Sequence, residues 1–215
     1  MSGPQYAPDA VAEVAGIAAA YRAAHSMPEP TEHYGETKAL PWATLEPLVQ
    51  QYLAADPAAP ITYPALASYS RLVHELQAQW YDLELAGYTM DVVDHDPYVT
   101  ASGAPNSKAM RRDVRDNRHI SVLSTAVTGS HPFLTDAEND LFRGVHDIFG
   151  HAGTGRAFDQ DGEEAAYRHH RSMFTAAAIP ALTTETRVQN ALNNLNDNSF
   201  IAQRAVIIEG SWLDR

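Results

Sequence analysis

Apolar residues recur at helical spacing along most of the chain. Residues 9–24 are rich in alanine, with Val11, Val14, Ile17 and Tyr21 on one face of a helix. Pro28, Pro30 and Gly35 break that pattern and predict a loop. Helical periods return at 43–55 and 64–86. The second carries Leu66, Tyr69, Leu72, Val73, Leu76 and Trp80 and is closed by Gly87, a residue suited to the left-handed turn after a helix.

The pattern changes between Tyr88 and Thr125. Thr89 to Val93 and His119 to Leu123 are short, β-branched runs bounded by turn formers. They predict two strands flanking a polar helix at 106–117. Gly129 to Pro132 reads as a loop. Thr135-Asp136-Ala137-Glu138 has the form of a capping box, so a helix should begin at 136. Gly150 is expected to end or unwind that helix. Further helices are predicted at 160–177, 179–195 and 198–209. The expected class is mainly α with a few short strands (α+β). Residues 1–60 are expected to form an N-terminal helical and loop region and 61–215 the main domain, for which the histidine-rich stretch described below suggests metal binding and catalysis, with one continuous domain as the other division.

Composition narrows the chemistry. The 215 residues contain no cysteine, which excludes disulfides, thiolate zinc sites, iron–sulfur clusters and cysteine nucleophiles. A metal would have to be held by imidazole and carboxylate, donors that suit iron, manganese or zinc. The formal charge is −12, and the densest basic run, Lys108 to Arg118, is interrupted by Asp113 and Asp116. That balance argues against nucleic acid and anionic membranes as partners. With no signal-peptide pattern and no long apolar run, a cytoplasmic protein is expected, free to form a homo-oligomer.

Ten histidines are present, and His131, His146, His151, His169 and His170 crowd into one stretch with Asp147, Glu163, Glu164 and Glu185. His146 and His151 are five apart, which on a straight α-helix sets them about 140° apart. A zinc-protease motif needs i and i+4, and a carboxylate-bridged di-iron bundle needs Glu-x-x-His, of which the chain has none. Two histidines and one carboxylate on a single face of an ion remain, with Glu163, Glu164 or Glu185 as third ligand. Glu185 lies among apolar and small residues, where a carboxylate is costly unless paired or metal-bound; Arg187 or Arg204 could pair it instead. Glu163 and His170 share a helical face and could flank the site as acid–base groups. Asp147 could orient a histidine tautomer. Phe149, Tyr167 and Phe174 are candidates for the cavity wall or for plain core packing.

Residues 117–185 resemble the catalytic core of the pterin-dependent aromatic amino acid hydroxylases. In that family a short strand leads through a His-Pro loop and a threonine-led turn to His-Glu-x-x-Gly-His, and a later glutamate completes an iron triad. Here His119 to Thr125 resembles the strand, His131-Pro132 the loop, Thr135 to Glu138 the turn, and His146-Asp147-Ile148-Phe149-Gly150-His151 the iron motif, with Asp147 in the place of the glutamate. Phe158 falls where the family has a phenylalanine. The resemblance implies Fe(II) at His146, His151 and Glu185, Thr135 and Phe158 on the cofactor side, and dioxygen with a small-molecule or amino-acid-like substrate, a pterin being the family's reductant.

Two other readings stand beside it. An HD-type phosphohydrolase would use His146-Asp147 at the metal, with His119 or His131 upstream and Asp197 downstream. A non-enzymatic binding module would present helix 136–150 and the Gln189 to Asn194 region as a surface.

Overall fold

The longest helical period produces the longest element. Thr62 caps helix α3 by accepting from the Ala65 amide, Pro64 occupies its first turn, and the helix runs Tyr63–Leu85. Tyr69, Leu72, Leu76 and Leu83 are buried along one face, a stripe that pins the helix to the core. Gly87 closes it at φ +85°. The computed structural model describes residues 3–195, 202–208 and 210.

Before α3 come α1 (Ala12–Ala24) and α2 (Trp42–Ala54), with a single 3₁₀ turn at Tyr34–Glu36 between them. After it, β1 (Thr89–Val93), α4 (Ser107–Asn117) and β2 (His119–Leu123) form a strand–helix–strand unit. The strands pair in parallel, Thr89 opposite His119 through Val93 opposite Leu123. A short α5 (Thr125–Thr128) leads to α6 (Asp136–His146), and α7 (Gln160–Arg171), α8 (Ile179–Thr183) and α9 (Gln189–Leu195) complete the chain order. Among the described residues the architecture is thus mainly helical with one two-stranded sheet. No helix among them is long and apolar enough to cross a membrane. Val14 and Tyr21 of α1 share one core with Leu72 of α3, Ile120 of β2 and Phe149, so residues before 61 contribute directly to the core that holds the central histidines.

Several expectations shift. The helix expected at 160–177 stops at Arg171, where Ser172 takes over the last carbonyls. The stretch 179–195 is three pieces, because the backbone between α8 and α9 widens into a π-helical turn at Thr184–Val188. The last expected helix, 198–209, lies partly outside the described residues, and 202–208 is not helical. There Ala205 and Ile207 pack toward the main core while Val206 and Ile208 pack toward a second cluster on α2 and α9. That alternation has period two, the signature of an extended segment. Its backbone is held from outside, with the Arg204 amide donating to the Tyr52 hydroxyl and the Val206 carbonyl accepting from Thr184.

Of the two outcomes expected at Gly150, the helix does not end; it unwinds, α6 passing into a wider π-helical segment, Asp147–Ala152. Gly150 also serves close approach. A Cβ at this position would lie 2.9 Å from the Cβ of Ala166 on α7, well inside normal contact. The Gly150→Ala variant should therefore lose about 1–3 kcal/mol of stability by overpacking, measured by denaturant unfolding. Adding Ala166→Gly should recover part of that loss; a Gly150→Ala chain as stable as the parent would show that the contact relaxes freely.

Candidate metal centre

The site begins with the change of helical pitch. In an α-helix residues five apart diverge, but π-helical hydrogen bonds run from i to i+5 and stack such residues on one wall. The Asp147–Ala152 segment thereby brings the His146 and His151 rings to 5.6 Å between centroids, edge to face. Both side chains are buried, with His151 only 1% exposed. Two side-chain bonds secure the widened backbone: His169 Nδ1 donates to the Phe149 carbonyl at 2.7 Å, and Thr154 donates to the Gly150 carbonyl.

Helix α7 supplies the third group. Asp159 caps its start by accepting from the Gly162 amide, which sets Glu163 in the first turn opposite the π segment. His146, His151 and Glu163 each offer one ligand atom, all within 4.8 Å of one another. Glu163 Oε1 lies 3.4 Å from His151 Nε2, and its Oε2 accepts from Asn190 Nδ2 at 2.6 Å. His146 Nδ1 faces His170 Nδ1 at 3.2 Å, while His146 Nε2 is buried without a hydrogen-bond partner among the described residues. A buried imidazole nitrogen with no partner is a costly feature in a fold, and a cation would satisfy it.

Electrostatics follow from burial and from this pairing. Burial, reinforced by the neighbouring His151, holds His146 down to about 4. Burial also pushes His151 down, but Glu163 and Asp147 outweigh it and hold it above the usual histidine value. Burial raises Glu163, yet the charge and hydrogen bond of His151, with His146 and Asn190, bring it below the carboxylate norm. Burial pushes Asp147 up to about 6; Glu163 adds to this, while His151 and Arg143 oppose it. The three clustered groups are thus a proton-sharing set that a cation could enter by displacing a proton from His151.

The triad opens on a cavity of about 370 Å³. Phe142, Phe158, Val122 and Leu123 give it apolar walls, and Arg143 and Asn139 are polar points on it. Phe158 lies edge to face on His151, with centroids 4.7 Å apart. Arg143 donates to the Leu123 carbonyl and to Thr128 Oγ1, both at 2.8 Å. Asp147 also lines the cavity.

The remaining expected residues fall elsewhere. Glu185, expected as third ligand, lies on the other π-helical turn and also borders the cavity, but its oxygens are taken: Oε1 by Tyr69 and by His131 Nε2, Oε2 by Gln189. Glu163 therefore occupies the place in the cluster expected of Glu185. Neither arginine suggested as its partner is needed for that, since Arg187 pairs with Glu164 and Arg204 with the Ala55 carbonyl. Thr135 is exposed at the start of α6, its hydroxyl closing the capping box with Glu138, away from the cavity. His170 sits behind His146 rather than on the cavity wall. Phe149 and Phe174 flank His170, and Tyr167 bonds Thr183; all three are core residues. His119 is engaged by Asp113 and Asp91, and His131 Nδ1 accepts from the Phe133 and Leu134 amides. Neither is presented to the cluster as the phosphohydrolase pattern would require, and Asp197 lies outside the described residues. The sequence reading did not single out Gln79, Arg143 or Asn190 for the site. Each is a polar residue in a helix, and only its burial against the site separates it from a surface residue.

Comparison of the chain with protein-family models, curated proteins and solved structures finds no match.

Burial of neutral histidines makes the fold acid-sensitive. His146 and His169 are held down to about 4, His169 by burial and by Arg22 against the pull of the Phe149 carbonyl. His170 is held well below its usual value by burial and its neighbours His146 and His169. The unfolded chain protonates these groups near 6.5, so stability falls as pH drops below that, by about 1.4 kcal/mol per pH unit for each. Asp147 runs the other way between about 6 and its unfolded value, offsetting one histidine. Thermal midpoints recorded in chelator should therefore fall steeply from about pH 6.5 to about pH 5; a flat profile would mean the histidines protonate inside the fold.

Proposed function

We propose that this chain is a mononuclear non-haem iron enzyme of hydroxylase type, using dioxygen on a small-molecule substrate, with Fe(II) held by His146, His151 and Glu163. The observation that carries this reading is the buried, unpartnered Nε2 of His146 in a cluster with one further imidazole and one carboxylate. Two nitrogens, one carboxylate and no thiolate suit ferrous iron, with manganese or zinc as alternatives. Bound there, the metal would supply open positions for dioxygen and substrate and the change of oxidation state that oxygen chemistry requires.

The chain's own residues have definable parts in such a reaction. Asn190 fixes the Glu163 carboxylate through Oε2 and leaves Oε1 toward His151. Phe158 covers His151, and with Phe142 and Val122 keeps water from that side of the cavity. Asp147, raised to about 6 by burial, can hold or release a proton at the cavity wall near neutral pH. The volume of about 370 Å³ fits a small molecule such as an amino-acid-like compound. Of the two residues expected on the cofactor side only Phe158 borders the cavity, so a pterin is not part of the proposal.

The test is anaerobic loading with Fe(II), metal analysis per chain, and oxygen uptake during a substrate screen. About one iron per chain is expected. His146→Ala, His151→Ala and Glu163→Ala should each weaken binding by more than the roughly 10–100-fold that a lost supporting contact costs, while Glu185→Gln and Asp147→Asn keep their metal. Metal lost with Glu185 but kept without Glu163 would overturn the ligand set. Metal lost with Asp147 and kept without Glu163 would favour the phosphohydrolase, and no uptake by the parent chain would leave the binding-module reading.

A further inference from the structure

Behind His146 lies a buried polar chain that the cavity never reaches. Gln79, in the middle of α3, is fully buried, as is His170 on α7. Gln79 Nε2 donates to the Met173 carbonyl at 3.1 Å, and Gln79 Oε1 lies 2.8 Å from His170 Nε2. His170 Nδ1 then meets His146 Nδ1 at 3.2 Å. Among the described residues the His170 ring also packs against Phe149 and Phe174, which offer it no strong acceptor.

These contacts have only one consistent arrangement of protons. The Met173 carbonyl can only accept, so the group facing it must be the Gln79 NH₂. The Gln79 oxygen therefore faces His170 and requires a proton on His170 Nε2. A neutral imidazole carries one proton, so His170 Nδ1 is bare and accepts. The proton between the two rings must then sit on His146 Nδ1, and His146 Nε2 is left with its lone pair. That is the nitrogen that is buried without a partner.

We propose that Gln79 and His170 are positioning residues that set the tautomer of His146, presenting the bare Nε2 to the ligand cluster. For its metal consequence this rests on the iron reading given above; the tautomer itself does not. The dependence on Gln79 is specific. Without an acceptor at that place, a proton on His170 Nε2 would be buried and unsatisfied, at a cost the ring avoids by moving it to Nδ1. His170 would then donate to His146, whose own proton would move to Nε2 and block the ligand position. Glutamate at position 79, kept neutral by burial, donates its acid proton to the Met173 carbonyl and turns its other oxygen to His170, which preserves the order; methionine removes the acceptor.

Histidine-¹⁵N nuclear magnetic resonance of the metal-free full chain, near neutral pH, reads the tautomers directly, with His146→Gln and His170→Gln assigning the signals. The parent and Gln79→Glu should show His146 protonated on Nδ1 and bare on Nε2, and Gln79→Met should show the reverse. Zinc binding in the same proteins should weaken by about 10–100-fold in Gln79→Met, the range for lost ligand-orienting contacts, and change little in Gln79→Glu. His146 protonated on Nε2 in the parent, or unchanged in Gln79→Met, would overturn the proposal. A parent chain that shows the expected tautomers and takes up no metal would support the relay and remove the iron reading.

Discussion

The i-to-i+5 register between His146 and His151 is the constraint on which the site depends. Were α6 to continue as an α-helix, the two imidazoles would point about 140° apart and could not share an ion. The π-helical segment removes that divergence without breaking the chain. Its looser geometry is unfavourable in isolation, so the surroundings must hold it. They do so with donors aimed at its carbonyls, from His169 to Phe149 and from Thr154 to Gly150. Packing adds to this: the segment lies between α1, α4 and α7, and the bare backbone of Gly150 lets Ala166 of α7 come into close contact.

Helix α7 is the template against which that segment is set. Glu163, Ala166 and His170 recur at intervals of three and four, one face of a helix, and His169 flanks that face. Glu163 meets His151, Ala166 meets Gly150, His169 holds the Phe149 carbonyl, and His170 meets His146. One helix thus supplies a carboxylate, a close contact, a backbone clamp and a ring-to-ring contact. The cost is the burial of neutral histidines and of charged groups in pairs, such as Glu164 with Arg187.

Much of the fold was legible in the sequence where a local signal was strong and unopposed. Both strands, the polar helix between them and the capping box at Thr135 lie where pattern and turn chemistry put them. Legibility failed where the backbone departs from the two ordinary periods. A glycine after His146 reads as a helix stop, because its sequence signal is the same whether it is needed for a turn or for the approach of a neighbouring helix. The two π-helical turns carry no local signature, since their hydrogen bonds are stabilised by distant side chains. The segment 202–208 misled for another reason: Ala205-Val206-Ile207-Ile208 is apolar throughout, and alternation shows only when two separate clusters receive its two faces.

The contrast between Glu185 and Glu163 has the most instructive cause. A carboxylate embedded among apolar residues does need partners, and that premise holds: Tyr69, His131 and Gln189 all donate to it. The sequence could not show that the partners are neutral donors from α3, the loop after α5 and the next turn of its own helix, rather than a cation. His131 can donate from Nε2 only because its Nδ1 accepts two backbone amides, a fact of loop geometry with no trace in composition. Glu163 carries no such signal, since at the polar start of a helix an acidic residue has an ordinary explanation in the helix dipole. The deciding difference is lone-pair capacity. Both carboxylates border one cavity, but the oxygens of Glu185 are occupied by three donors, whereas Glu163 has one oxygen held by Asn190 and the other turned toward His151. Of these two acids bordering the cavity, the one whose protein partners leave an oxygen facing other ligand atoms is the better candidate to hold a cation.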